Sequence, residues 1–274
     1  MLEIPEAQTV AKQLEKTIAG KTISRAVAAS SPHSFAWYFG EPELYPQMLE
    51  GKKVTDTKAY GGRPEIWAEN MRISFGDGVN VRYYSADAKR PAKHQLLLEF
   101  DDETAVCCTI QMYGMLFAFP DGMNDDDTYY TAAKEKPSPL SEQFDKAYFD
   151  SLLSETQKLS AKAFLATEQR IPGLGNGTLQ DILWHSKIHP KRKLSTLSDG
   201  ELEMMYLSVK EILSEMTAKG GRDVEKDIFG SPGGFVTTMS KNNVGMPCPA
   251  CGDLIKRMAY LGGNVYVCET CQKL

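Results

Sequence analysis

Four of the six cysteines fall in the last 27 residues, as CPAC (248–251) and CETC (268–271). The spacing C-x2-C-x16-C-x2-C supplies two knuckles and four thiolates, the donor set of a closed tetrahedral zinc site with no open position for water. Cys248, Cys251, Cys268 and Cys271 are therefore the predicted ligands of one structural Zn2+. Between the pairs, DLIKRMAY and NVYV flank Leu261-Gly262-Gly263, which reads as a β-hairpin. Cys107 and Cys108 are adjacent in an apolar run and badly placed to bond each other. The pattern is that of a metal site in a reducing compartment, not a disulfide framework, and places the chain in the cytoplasm. Zinc ribbons occur on many proteins, so this one does not name a function.

A chain of 274 residues is long enough for two modest domains. No window approaches 18 consecutive apolar residues, so no membrane span is expected, and no basic segment leads into an apolar run as in a secretory signal. The net charge of −5 argues weakly against a nucleic-acid partner, but it is unevenly spread. Residues 156–274 carry 15 Lys and Arg against 12 Asp and Glu, whereas residues 1–155 carry 16 against 24. The asymmetry is modest, and ordinary surface variation also produces it.

Residues 5–19 place Ala7, Val10, Ala11, Leu14 and Ile18 on one helical face, with Pro5 suited to the first turn and Gly20 to the C-terminal cap. Glu3 and Glu6 thus lie at a helix N-terminus. MRISF (71–75) and VNVRYY (79–84) alternate around Gly76-Asp77-Gly78 and read as a hairpin, as do LLLEF (96–100) and TAVCCTI (104–110). Trp37, Tyr38 and Phe39 are expected in the core of the resulting sheet. DGMNDDD (121–127) reads as an acidic loop and EKPSPLS (135–141) as an interdomain linker. Helical patterns follow near 145–153, 160–169, 177–186 and 198–218, then a loop over 221–235. The expected class is α+β: an N-terminal helix and antiparallel β-sandwich (1–135), a helical domain (142–235) and a four-cysteine finger (243–274).

The second informative stretch is IPGLGNGTLQDILWHSKIHP (171–190). Gly173, Gly175 and Gly177 separate two helical patterns, and Asn176 sits where the second begins. Such a turn aims backbone N–H groups outward beside a positive helix end, the makings of a phosphate clamp. Asn176 fits either a helix cap or a phosphate contact. His185, Lys187, His189, Lys191, Arg192 and Lys193 follow as a basic cluster. No strand precedes the turn and no G-x-G-x-x-G is present, which excludes a dinucleotide-binding fold.

The combination resembles the formamidopyrimidine-DNA glycosylase and endonuclease VIII family of base-excision-repair enzymes. The resemblance runs nearly the whole length: M-x-E-x-P-E at 1–6, Lys162 fourteen residues before Asn176, IPGLGN and IHP within 171–190, GG at 220–221, and PC-x2-CG…YVC-x2-CQ at 247–272. It implies a helix-two-turn-helix domain and a cleft for duplex DNA, damaged or abasic. It also implies a flipped nucleotide, attack on C1′ of the sugar by an N-terminal proline, proton handling by the neighbouring glutamate, and strand cleavage through a Schiff base. The implied counterparts are Glu3 and Glu6 as carboxylates, and Lys162, Gly173, Gly175 and Asn176 at the phosphates. Gln111 and Tyr113 lie in the wedge that fills the gap left by a flipped base. A monomer associated with the nucleoid is implied too.

The resemblance breaks at the chemistry. Leu2 stands where the family has its proline, and its bulk is expected to leave Met1 in place, moving the free amine by up to ~3.8 Å. Near-attack geometry tolerates less than that. A terminal amine beside a helix N-terminus is still a competent nucleophile, so Met1 with Glu3 remains a candidate catalytic pair. In YGGRPEIW (60–67) the family's catalytic lysine falls on Gly62 or Arg63, and Arg cannot exchange a proton near neutrality. Gln111 replaces the wedge arginine and Gly263 the finger's arginine. The expectation is a damaged-DNA-binding protein with little or no glycosylase activity. The alternatives are an active glycosylase/AP lyase using the Met1 amine, and a regulatory interaction module. Three bland alternatives stay open: Glu6 only favouring its helix, Lys162 as a solvated lysine, and Tyr113 as core.

Overall fold

The structure, a computed structural model, describes residues 2–123 and 128–274. Met1 and the last four residues of the predicted acidic loop lie outside the described residues. Helix α1 (Ile4–Ile18) forms where the periodicity places it. Glu3 is its N-cap, in a reciprocal capping box with Glu6, and Pro5 sits in the first turn. Gly20 follows the C-cap with φ +83°. The apolar stripe of α1 is shared between two cores: Val10, Leu14 and Ile18 pack with the sheet, Ile4 with the helices. The N-terminus of α1 therefore lies at the seam between the lobes.

The N-terminal lobe comprises β1 (Ile23–Ala28), β2 (Ala36–Tyr38), β3 (Val54–Tyr60), β4 (Arg63–Ala68), β5 (Met71–Tyr84), β6 (Leu96–Phe100) and β7 (Ala105–Pro120), with α2 (Tyr45–Leu49) against β1. Hydrogen bonding joins the strands into one antiparallel sheet of order β1-β6-β7-β5-β4-β3, with β2 alongside β7 in parallel. Residues of both halves, such as Ile66, Ile73 and Phe75 on one side and Leu96, Leu98 and Val106 on the other, share one apolar cluster. The predicted β6–β7 hairpin forms. The hairpin predicted within 71–84 does not: β5 runs unbroken beside the equally long β7, with a register shift between Asp77 and Val79. Its glycines serve close approach, since a Cβ on Gly78 would stand 2.3 Å from the Tyr113 carbonyl oxygen. The real turns at this end are Gly61-Gly62 (β3–β4) and Glu69-Asn70 (β4–β5), each two residues long.

A helix the sequence did not signal, α3 (Thr128–Glu135), precedes the second lobe. There α4 (Lys146–Leu153), α5 (Ala161–Ala166), α6 (Leu179–His185) and α7 (Asp199–Ala218) surround Phe144, Phe149, Phe164, Leu183 and Val209. Asp145 and Ser160 cap α4 and α5, and a Ser198–Glu201 capping box opens α7. Residues 221–235 lack regular elements, as expected, yet are pinned by backbone bonds such as Asp223 N to Phe235 O at 2.8 Å. The finger hairpin, β8 (Lys256–Tyr260) and β9 (Gly263–Val267), turns through Leu261 and Gly262, both with positive φ. Gln180 of α6 accepts the Tyr266 N–H at 3.0 Å and so docks the finger on the helices. Among the described residues no helix is long and apolar enough to cross a membrane.

Candidate functional site

The two glycine turns meet at the seam. Gly173 has φ +80°, and a Cβ there would lie 2.1 Å from the Gly62 nitrogen, so backbone rests on backbone. The Gly173 carbonyl accepts the Ile4 N–H at 3.0 Å, which fixes the start of α1 against the turn.

Glu3 enters that turn as an anchor. Its Oε2 accepts from Gly175 N (3.1 Å), Thr178 N (2.8 Å) and Thr178 Oγ1 (2.6 Å), and its Oε1 from Gly177 N (2.8 Å). The side chain is buried, and Arg222 Nη1 stands 3.6 Å from Oε1. Burial pushes the carboxyl's pKa up, but Arg222 and the Thr178 and Gly177 donors outweigh it and leave the group below its ordinary value. The outward-facing N–H groups expected to hold a phosphate are thus already occupied by a carboxylate.

Glu6 is a partner of the same arginine. Arg222 donates to Glu6 Oε1 from Nε at 3.0 Å and to Oε2 from Nη2 at 2.8 Å, while its backbone N–H donates to Oε1 at 3.0 Å. Arg222 is 2% exposed. Glu6 therefore does more than favour its helix. Sequence reasoning missed Arg222 because it lies in a stretch that reads as loop; the one available signal was a cation directly after the Gly220-Gly221 pair.

Lys162 and Asn176 converge on the finger. Lys162 is buried, not solvated, and donates to the Tyr260 carbonyl at 2.6 Å; burial lowers its pKa. Asn176 Nδ2 donates to the Asn264 carbonyl at 3.0 Å, while its buried Oδ1 has no partner among the described residues. The helix cap is Thr178, two residues on, so Asn176 does not cap α6. A Cβ on Gly263 would be 3.5 Å from both Lys162 Nζ and Asn176 Nδ2. The basic cluster that follows disperses: Arg192 pairs with Glu201, His189 is buried, and Lys191 lies over the Tyr260 ring at 5.4 Å.

On the sheet lobe, Gln111, Met112 and Tyr113 bulge from β7 opposite Gly78. Gln111 and Met112 are exposed and Tyr113 is half-buried, so Tyr113 is not core. Trp37 also departs from expectation: it is 45% exposed, tilted against Tyr113 with ring centroids 6.0 Å apart. The run of aromatics around it imitates a core pattern, but β2 is a short strand beside the bulge. Arg63 is buried at the start of β4, with Nη2 3.7 Å from Met115 Sδ. Behind it Tyr130 donates to Glu65 Oε2 at 2.7 Å. Met1 lies outside the described residues.

The four finger cysteines bring their sulfurs within 4.8 Å of one another, with Cys248–Cys271 at 3.8 Å and Cys251–Cys268 at 3.4 Å. Zn–S bonds of about 2.3 Å require tetrahedral edges of about 3.8 Å, so the donor set is compatible with a structural zinc.

A family profile, the formamidopyrimidine-DNA glycosylase H2TH domain, matches residues 136–227. Over the full length, the chain is 27% identical to the formamidopyrimidine-DNA glycosylase of Lactococcus lactis subsp. lactis and 28% identical to that of Mycoplasma mobile, with 100% of each chain covered. Residues 136–227 thus carry the H2TH domain of the formamidopyrimidine-DNA glycosylases, and the chain is similar to those enzymes over its whole length. The fold is shared as well. The MutM (Fpg) protein from Thermus thermophilus superposes with a TM-score of 0.83 at 23% identity, covering 98% of both chains. Lactococcus lactis Fpg, in its complex with abasic-site-containing DNA, superposes with a TM-score of 0.84 at 24% identity, covering 99% of this chain and 100% of that one. Leu2 is half-buried against the sheet core, where the resemblance places a proline nucleophile. Gly62 is spent on the seam, Arg63 is buried, and Gly263 offers no side chain to a phosphate.

Proposed function

We propose that this protein binds damaged or abasic duplex DNA in the cleft between its lobes, as a DNA-repair-type protein with little or no base-excision activity. The relatives named above are glycosylases, and one is seen with abasic-site DNA, which supports the ligand class. The observation that carries the loss of chemistry is Glu3. A proton-handling carboxylate needs a free lone pair and a pKa within reach of neutrality. Glu3 instead accepts four hydrogen bonds beside a buried guanidinium. Leu2 in place of the family's proline and Arg63 or Gly62 in place of its lysine support the same reading. Asn176 and Lys162 face the finger where the family grips phosphate, with Gln111 and Tyr113 forming the wedge. One zinc on Cys248, Cys251, Cys268 and Cys271 holds the hairpin rigid. Zinc supplies no step of chemistry there.

Two measurements test this. Log affinity for an abasic-site duplex is expected to fall with log salt at ~0.9 per phosphate neutralised; a flat slope overturns DNA binding in favour of an interaction module. Borohydride trapping on the same duplex is expected to yield no covalent adduct. An adduct abolished by capping the terminal amine would establish an active lyase built on Met1 and Glu3.

A further inference from the structure

Residues 222–235 leave the helical lobe and return to it, but their tip lies in the other lobe. The base of the segment is tied beside the end of α7, with Gly234 N donating to Lys219 O at 2.8 Å and Phe235 N to Gly221 O at 3.0 Å. At the tip, Ile228 is fully buried in the sheet-lobe cluster, whose other buried members all fall within residues 10–118. The exchange is reciprocal: Ile4 is buried in the helical cluster, whose other buried members all fall within residues 144–235. Each lobe thus holds one isoleucine of the other.

The tip is fastened to both the sheet and α1. Tyr83, at the end of β5, donates its N–H to Ile228 O at 2.8 Å, and Arg82 Nη1 donates to Asp227 O at 2.9 Å. The Tyr83 and Phe229 rings meet edge-on with centroids 6.0 Å apart. Gln13 of α1 accepts from Ile228 N at 3.2 Å and donates to Asp227 Oδ2 at 2.9 Å. Asp227 Oδ1 accepts from Phe229 N (3.0 Å) and Ser231 N (2.8 Å), so the tip is a preformed turn that moves as one piece.

We propose that this tip is an interlobe latch. With Ile228 seated, the seam is a fixed joint; with Ile228 withdrawn, the lobes pivot and the cleft between them opens. One fastening between two rigid bodies is a hinge, whereas two separated fastenings forbid rotation. The first fastening is the start of α1, where Ile4 enters the helical core and Glu3 and Glu6 hold the turn and Arg222. The second is at Gln13, about 13–14 Å further along the helix at 1.5 Å per residue. The two differ in strength. Buried charges build the first, while the second depends on one apolar side chain whose neighbour Phe229 is 55% exposed. The second therefore releases first, and the start of α1 remains as the pivot. The latch is independent of what the cleft holds.

Small-angle X-ray scattering and hydrogen exchange on the full zinc-loaded chain, without DNA, test this. Wild-type scattering is expected to fit one lobe arrangement. Ile228→Ser is expected to raise the radius of gyration and to speed exchange at 82–84 and 226–231 by about tenfold or more, the least that losing one buried isoleucine allows. Protection in β6 and β7 stays at the wild-type level, and Ile228→Val keeps both readouts near wild type. Gln13→Ala, which loosens the tip from the α1 side and leaves the core intact, moves both readouts in the same direction. A wild-type curve that requires a mixture of lobe angles overturns the latch. So does an Ile228→Ser protein that loses protection in β6 and β7 with unchanged scattering, since Ile228 is then only core. Should Ile228→Ser fail to fold, unchanged scattering and exchange in Gln13→Ala overturn it. Neither readout involves DNA, so failure here leaves the proposed function standing, and a flat salt slope leaves the latch standing.

Discussion

Replacing Arg222 by Ala is expected to be among the most damaging single changes in the chain, and the size of the loss follows from its contacts. Arg222 is 2% exposed, and its side chain makes two charged hydrogen bonds to Glu6 and approaches Glu3. Charged hydrogen bonds contribute ~1.5–3 kcal/mol each, and breaking a buried ion pair by deleting one partner costs ~3–5 kcal/mol. Glu3 keeps its four turn donors in the variant, so Glu6 bears most of the cost and ~3–5 kcal/mol is the expected loss at pH 7.5. The pH dependence gives an independent check. In the wild-type protein Glu3 titrates below its ordinary value of 4.5, so its contribution is present above that value and lost as pH falls through the folded pKa. Burial is the largest influence on this carboxyl, and it acts upward. Without Arg222 the carboxyl rises, and protonation then relieves the variant, so its deficit narrows as pH falls toward 4.5. Urea unfolding of both proteins at pH 7.5 and 4.5 measures this. A loss below 1 kcal/mol at pH 7.5, or a deficit that widens in acid, refutes the view of Arg222 as the keystone of the seam.

Chelation of the metal is expected to unfold the finger, whose buried cluster is small and includes the ligands Cys248 and Cys268 beside Met239 and Ile255, while the sheet lobe persists. Trp184 reports it, because its Nε1 lies 3.4 Å from Cys248 Sγ, and metal analysis should find one zinc per chain, lost in Cys271→Ala. Gly263→Arg fits beside Lys162 and Asn176, since its Cβ would make ordinary 3.5 Å contacts, and should steepen the salt dependence of DNA binding by ~0.9 in log–log slope. Asp181 is fully buried, with Oδ1 bonded to the Thr238 and Met239 N–H groups, and burial raises its pKa to about 6. The folded state therefore favours the protonated form: the contribution of Asp181 is full below pH 3.8 and is lost, by ~3 kcal/mol, as pH rises through 6, a slope that Asp181→Asn should flatten in urea titrations. Leu2→Pro alone is expected to yield no borohydride-trapped adduct, since Glu3 stays saturated and no lysine stands at Gly62 or Arg63; an adduct would show that the missing proline was the whole defect.

What was legible in the sequence was local. Helix α1 declares itself by a repeat of 3.6 between Pro5 and Gly20, and the finger hairpin by cysteine spacing, so both form as read. The break inside β5 was misread because glycine marks a turn and a close backbone approach with the same letter, and only the partner strand tells them apart. Trp37 was misread for a related reason: alternating aromatics look the same on an inner face and beside a bulge. Arg222 left little more than its place after Gly220-Gly221 to read, since its partners Glu3 and Glu6 lie more than 210 residues away and its own segment has no periodicity. The turn at 173–178 was recognised as an anion site, but not that the anion is the chain's own Glu3.

That last substitution links stability to function. A carboxylate can pass protons only if its two protonation states lie within a few kcal/mol of each other near neutral pH. Every contact that fastens Glu3 to the turn favours the charged state alone, and these contacts also tie α1, whose residues feed both cores, to the helical lobe. Tightening the seam and keeping a proton shuttle are therefore opposed demands on one side chain. Under the function proposed above the seam has the stronger claim: Arg222 adds a buried charge beside Glu3 and helps hold its carboxyl in the charged form. Under that reading a ligand is held where no bond is broken, and the absence of a borohydride-trapped adduct is what bears it out.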